Sequence, residues 1–151
     1  MAQKLPPEFL GQFQEQFDYW NRGELDLMLD MYADNAVFDV SAVFTDVAPM
    51  EGHQDIRRYW GTLQETWKGM RIDPLEAFDV GERRFVVDQR MWATGQRSGI
   101  EVDQRFAMLY TVRQEDGKFV RAQLLPDLAA AISAAERTTP PEASEGATGD
   151  R

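Results

Sequence analysis

The sequence predicts an α+β domain, with helices covering one face of a curved, mostly antiparallel sheet. Aromatic residues recur at helical spacing near the start of the chain, at Phe9, Phe13, Phe17 and Trp20. After Gly69 the apolar pattern changes to period two and stays there for four runs. Helical and strand-like segments are therefore segregated rather than alternating, which is the mark of α+β layering. The 151 residues suit one domain, and 9 Phe, 4 Trp and 4 Tyr supply the bulk of one core.

The elements follow in order. The aromatic stripe from Phe9 to Trp20 lies on one helix, closed by Asn21-Arg22-Gly23, where glycine takes the left-handed cap. A second helix runs from Glu24 to about Asp34 with Leu25, Met28, Leu29 and Tyr32 on one face. Ala36 to Ala42 is a strand rich in β-branched and aromatic residues, and Thr45 to Gly52 a loop. His53 to Trp67 is a third helix, its apolar face formed by Ile56, Tyr59, Trp60, Leu63 and Trp67. Asp55 suits the positive end of its dipole. Strands are expected at Met70–Val80, Arg83–Thr94, Ile100–Arg113 and Lys118–Leu125, the last two joined through Glu115-Asp116-Gly117. Pro74 inside the first of them calls for an edge or a bulge. Asp127 caps a short final helix from Leu128 to Arg137. The domain so defined spans residues 1–137, and residues 138–151, rich in Pro, Gly, Ser, Thr and acid, form a disordered acidic tail.

Composition narrows the partners. The chain carries 26 Asp and Glu against 16 Lys and Arg, a formal charge of −10. That repels phosphate backbones and anionic lipid, so neither nucleic acid nor a membrane is an expected partner. There are 0 Cys and 1 His, so thiolate chemistry, disulfides and Cys or polyhistidine metal sites are excluded. No run of about 18 apolar residues occurs, and Met1 to Pro7 has no signal-peptide core; a cytoplasmic location is expected.

Three runs then carry a resemblance: Trp20-Asn21-Arg22-Gly23-Glu24-Leu25-Asp26, Tyr32-Ala33-Asp34-Asn35-Ala36-Val37-Phe38, and Gly52-His53-Gln54-Asp55-Ile56. With Gly95 to Gly99 and Asp116-Gly117-Lys118-Phe119-Val120 they resemble, in order and spacing, the SnoaL-like branch of the nuclear-transport-factor-2-like superfamily over residues 8 to 136. The resemblance implies a cone-shaped α+β barrel, three N-terminal helices packed on the curved sheet, often paired as a homodimer through the outer sheet face. The superfamily spans isomerases, epoxide hydrolases, polyketide cyclases, dehydratases and non-catalytic binding domains, so the fold alone fixes little of the function.

Two known chemistries fail on this sequence. Where the resemblance places the tyrosine and the base of ketosteroid isomerase, this sequence has Gln16 and Val40, and the protonated aspartate would fall near Met108, so none of the three is kept. Where limonene-epoxide hydrolase keeps its Arg, Asp and second Asp, it has Gln89, Met91 and Leu124. The same alignment sets the inner face as Val40, Tyr59, Leu63, Val87, Gln89, Met91, Phe106, Met108, Tyr110, Ala122 and Leu124, with Gln16, Phe17 and Trp20 closing it from the first helix. Such a lining suits a small hydrophobic or aromatic molecule held by one or two polar contacts, with no cofactor. Asp39, one position from the base, and His53 at a helix start are the candidate catalytic residues for cofactor-independent isomerase, cyclase or hydratase chemistry. The alternative is a filled cone in a non-catalytic dimeric interaction module. Asp88, Arg90, Asp103 and Arg105 share a parity and form cross-strand charge pairs on the outer face. There Trp92 and Leu109 offer apolar surface for a homodimer.

Overall fold

Phe13, Phe17 and Trp20 repeat every three to four residues. In the computed structural model, which describes residues 2–137, they form the buried stripe of helix α1, Leu10–Asn21. Phe9, expected on the same stripe, belongs instead to a short 3-10 turn, Pro7–Phe9, and is 44% exposed. The tighter turn rotates it off the α-helical face. Gly23 ends the helix with φ +75°, its N–H donating to Trp20 O at 3.0 Å.

The next segment departs from the sequence reading. Helix α2 spans only Leu25–Leu29, and Tyr32 opens strand β2, Tyr32–Asp39. A residue that continues a helical stripe can equally be the first inward residue of a strand, and sheet pairing decided the outcome. The strand also stops earlier than Ala42. Asp39 turns back to accept the N–H of Ser41 at 2.9 Å and its hydroxyl at 2.6 Å, an Asx turn that leaves the sheet. Two-residue strand β3, Met50–Glu51, lies in the expected loop, and helix α3 follows at His53–Thr66.

The four period-two runs are β4, Trp67–Gly81, β5, Arg84–Gly95, β6, Glu101–Val112, and β7, Phe119–Leu125. An additional strand, β1, is contributed by Gln3–Lys4. The seven strands run in the order β1-β4-β5-β6-β7-β2-β3, every pair antiparallel except β2 with β7. Register shifts between Lys68 and Arg71, Pro74 and Glu76, and Asp79 and Gly81 mark three irregularities in β4, one of them beside Pro74. Bulges bend and coil a strand, and here they help curve the sheet around α1 and α3. Between β4 and β5, Glu82 and Arg83 both take positive φ, 58° and 60°, in the two-residue turn that suits a twisted hairpin.

Helix α4, Leu128–Arg137, starts where Asp127 Oδ1 accepts the Ala130 N–H at 2.8 Å. It packs on the outer sheet face, whereas α1 and α3 close the inner face. Residues 138–151, read as a disordered tail from the sequence, lie outside the described residues. No described helix is long and apolar enough to cross a membrane.

Candidate functional site

Strand parity builds one wall of a cavity. Inward positions of β5 bring Gln89 and Met91 to it, and β6 adds Phe106, Met108 and Tyr110. Leu124 of β7 and Val40, just beyond β2, extend the same surface. Helix α1 supplies Gln16, Phe17 and Trp20 at helical spacing, and α3 supplies Tyr59, Trp60 and Leu63. The cavity opens partly to solvent and has a volume of about 110 Å³, somewhat below the ~150 Å³ of an apolar cavity that takes benzene. Phe44, 43% exposed, stands on its border with solvent.

The wall is held by its neighbours. The Trp20 and Trp60 rings meet edge to face at 6.3 Å, and Trp60 packs on Tyr32 at 5.3 Å and Phe38 at 5.7 Å. Gln64 Nε2 donates to Trp20 O at 2.9 Å. Asn21 clamps β4 by donating to Ile72 O at 3.0 Å and accepting the Ile72 N–H at 2.8 Å. The last turn of α1 is therefore tied to both α3 and the sheet.

Polar atoms gather on this apolar lining. The Tyr32 hydroxyl donates to Gln16 Oε1 at 2.7 Å, and Gln16 Nε2 donates to the Tyr110 hydroxyl at 3.2 Å. All three residues are buried. Tyr110 is locked between Phe13 at 5.8 Å and Phe119 at 4.5 Å, both stacked. Burial pushes both tyrosine hydroxyls well above the ordinary phenol range, so they stay protonated at neutral pH. Tyr59 is shifted the same way by its partial burial. Two further atoms, Trp20 Nε1 and Gln89 Oε1, are buried without a hydrogen-bond partner.

Four residues expected on the inner face or at the site lie away from the cavity: Val87, Ala122, Asp39 and His53. Val87 faces inward but is sealed in the core with Ala122, away from the cavity. Asp39 sits between the lining residues Phe38 and Val40 and points to the other face, where Arg121 Nη2 reaches its Oδ2 at 3.2 Å. The irregularity that would have turned it inward falls earlier, between Tyr32 and Val37. His53 begins α3 with Nε2 2.9 Å from Tyr32 O, a strut between helix and strand, and it does not line the cavity. The two candidate catalytic residues are thus not brought together, and neither lines the cavity. Among the described residues, the lining holds no carboxylate, imidazole, ammonium or guanidinium.

The lining also includes residues that the sequence reading left out. Phe38 shares parity with Val40 and could have been found that way; Tyr32 was hidden by its helical spacing. Trp67, Met70 and Ile72 enter from β4, where the first register shift disturbs simple alternation. Met28 and Phe44 come from a five-residue helix and a turn, where periodicity says nothing.

On the outer face the charge pairs form. Arg90 binds Asp103 through both carboxylate oxygens, at 2.8 and 2.7 Å, with its guanidinium 4.2 Å from the Trp92 ring centre. Arg105 pairs with Asp88, which is buried rather than solvated. Leu109 corrects an expectation: it is buried in the cluster beneath α4, not free for a second copy, because the final helix folds back over this half of the sheet.

The family model of the SnoaL-like domain matches residues 13–122. No curated protein matches the chain. Among solved structures, similarity extends to a protein with a ketosteroid isomerase-like fold from Catenulispora acidiphila, in complex with trimethylamine, at 12% identity and TM-score 0.66. That match covers 89% of this chain and 100% of the other. The epoxide hydrolase/cyclase-like enzyme SalBIII, of pyran ring formation in salinomycin, matches at 19% identity and TM-score 0.63, over 77% of this chain and 88% of its own. TerC, co-crystallized with polyporic acid, matches at 20% identity and TM-score 0.65, covering 80% and 92%. At these identities the likeness is one of fold.

Proposed function

From a chain that belongs to the SnoaL-like domain family of the nuclear-transport-factor-2-like superfamily, we propose a domain whose cone binds a small, uncharged hydrophobic organic molecule. The observation that carries this reading is the cavity of about 110 Å³ left among aromatic and methionine side chains that are large enough to have filled it. Close packing is the rule in protein interiors, and an unfilled apolar space forfeits dispersion contacts that a ligand restores. Gln16, Tyr32 and Tyr110 supply a pre-positioned polar corner, and Phe13 and Phe119 keep the Tyr110 ring in place. With no charged group on the described lining, an ionic ligand would be desolvated without compensation.

Toluene provides a direct test by thermal denaturation. At tenfold excess over Kd, binding to the folded state adds about 1.4 kcal/mol, a rise in Tm of about 3–6 °C for a chain of this size. Met108→Trp, which fills the space from β6, is expected to abolish the rise. Absence of any rise in the wild type up to the solubility limit of toluene would refute the reading.

A second reading, cofactor-independent isomerase or cyclase chemistry, has the same polar corner in its favour. A neutral tyrosine hydroxyl in a dry site is a strong donor toward the oxygen of a developing enolate. The base for such a step would have to come from the substrate or from water, since the described lining contributes none. In that case Tyr110→Phe lowers kcat by about 10²–10³ with little change in KM; equal losses in substrate and product-analogue binding, with kcat unchanged, would leave binding alone.

A further inference from the structure

Exposure along the cavity wall rises in one direction. On β5 the inward residues grade from buried Val87 and Gln89 to half-buried Met91. On β6 they grade from buried Tyr110 and Met108 to half-buried Phe106, and on α3 from buried Ile56 and Trp60 to half-buried Leu63 and Trp67. All three gradients run toward the turn between β5 and β6 and the C-terminal end of α3, which are joined where Gln96 N–H donates to Thr66 O at 3.0 Å. A second space lies there. It is a cleft of about 350 Å³, open to solvent, with Trp67, Gly95, Gln96 and Ser98 in its wall and the opposite charges of Glu65 and Arg97 beside them.

Trp67 lines both the cavity and the cleft. Its place is set by the first irregularity of β4. Trp67 and Ile72 are five residues apart, which would put them on opposite faces of a regular strand. Lys68 and Arg71 oppose Thr94 and Trp92, so β4 spends one residue more than β5 over this stretch. That extra residue returns Trp67 to the inner face, opposite Gly95. Gly95 puts no side chain beside the indole, where a Cβ would lie 3.6 Å from Trp67 Cζ3 and 2.5 Å from Ser98 Oγ. Cavity and cleft therefore share one indole as a wall and lie on one face of the sheet.

We infer that the cleft is a second subsite of the cone, and that the ligand is an elongated neutral amphiphile with an apolar ring in the cavity, an unbranched linker beside Trp67 and a hydroxyl or amide end group in the cleft. This deepens the binding reading above and rests on it. The cavity alone has room for little more than one small ring. Beyond Trp67 the wall changes from apolar to polar, with the Gln96 amide and the Ser98 hydroxyl replacing methionine and aromatic side chains. Glu65 and Arg97 oppose each other in sign, so the cleft favours no ion and suits a neutral end group.

Toluene and phenylpentanol, a ring with a five-carbon chain ending in a hydroxyl, separate the possibilities on the full chain. Each methylene that the linker buries is worth about fourfold, so titration calorimetry is expected to show phenylpentanol at least about tenfold tighter than toluene. A chain leaving the cavity straight into water gains nothing. Backbone amide spectra read the path: phenylpentanol shifts the signals of Gln96, Arg97 and Ser98, and toluene leaves them in place. Ser98→Trp fills the cleft from its rim and is expected to remove the methylene gain, bringing phenylpentanol to within about twofold of toluene. Toluene affinity itself stays unchanged in that variant and reports that it is folded. Phenylpentanol no tighter than toluene, amides of Gln96 to Ser98 unmoved when it binds, or a gain retained in Ser98→Trp overturns the second subsite while the apolar receptor survives. Failure of toluene to bind the wild type overturns the receptor as well.

Discussion

The two faces of the sheet solve the same problem in opposite ways. On the outer face, α4 brings Ala131, Ala134 and Ala135 against Val86, Ala107 and Leu109, and the layer closes. Small residues let a helix approach the strands until nothing remains between them. On the inner face, α1 and α3 present Phe17, Trp20 and Trp60 toward Met108 and Tyr110. Rings braced edge to face against one another hold the helices off the strands and leave a space. Apolar content is ample on both sides; side-chain size and ring bracing decide which face becomes solid and which hollow.

The contrast can be broken most severely at Trp60, which is 1% exposed and touches the rings of Trp20, Tyr32 and Phe38. Trp60→Ala is expected to cost about 3–5 kcal/mol in urea unfolding and to end toluene binding, because the brace that holds the space open is gone. The matching change on the solid face is Ala131→Leu. Overpacking there is expected to cost about 1–3 kcal/mol with toluene affinity unchanged; a shift in affinity would mean that the two faces are mechanically coupled.

Alkali sharpens the comparison, because only the hollow face carries the buried tyrosine pair. The folded-state pKa values of Tyr32 and Tyr110 lie above the unfolded value near 10. Their contribution is therefore complete below pH 10 and is lost as pH rises beyond it. Each adds a slope of up to about 1.4 kcal/mol per pH unit. Phenolate absorbance should then appear together with unfolding, and Tyr110→Phe should flatten the loss above pH 10; early ionisation in a still-folded chain would contradict this burial. The smallest effect is expected at Asp39. Asp39→Asn weakens the contact with Arg121, worth about 1 kcal/mol or less, and leaves ligand affinity alone, since the carboxylate faces away from the space. Any loss of toluene binding in this variant would place Asp39 nearer the ligand than the structure does.

Much of this was legible because periodicity reports which face a side chain occupies. Gln16, Phe17, Trp20, Gln89, Met91, Phe106 and Met108 are all on the lining, where the alignment to the resembled family, consistent with spacing on α1, put them. What could not be read has particular physical reasons. Tyr32 satisfies a helical and a strand pattern equally, and only the parallel pairing with β7, remote in sequence, selects the strand. Met70 lies within, and Ile72 just beyond, a register shift that parity cannot foresee. Leu109 has the pattern of an exposed apolar residue on a sheet face, and nothing local says that α4 returns to cover it. A homodimer through the outer face, expected from the sequence, keeps only the Trp92 half of that face as apolar surface. The two orphaned atoms on Trp20 and Gln89 belong to a further class: sequence gives the residue, but only the assembled wall shows that an atom has no partner.

The irregular path of β4 has a consequence for the chain in a crowded solution. This fifteen-residue strand borders the sheet, and β1 pairs with it only at Asp79 and Phe78. A straight border of that length would be a template on which strands of other molecules could line up and grow a fibre. Three breaks in register, a proline without an N–H to offer, and the charges of Arg71, Asp73 and Glu76 interrupt any such ladder before it can extend. The same distortions that curve the sheet around its inner cavity thus also break up the edge on which other strands could add.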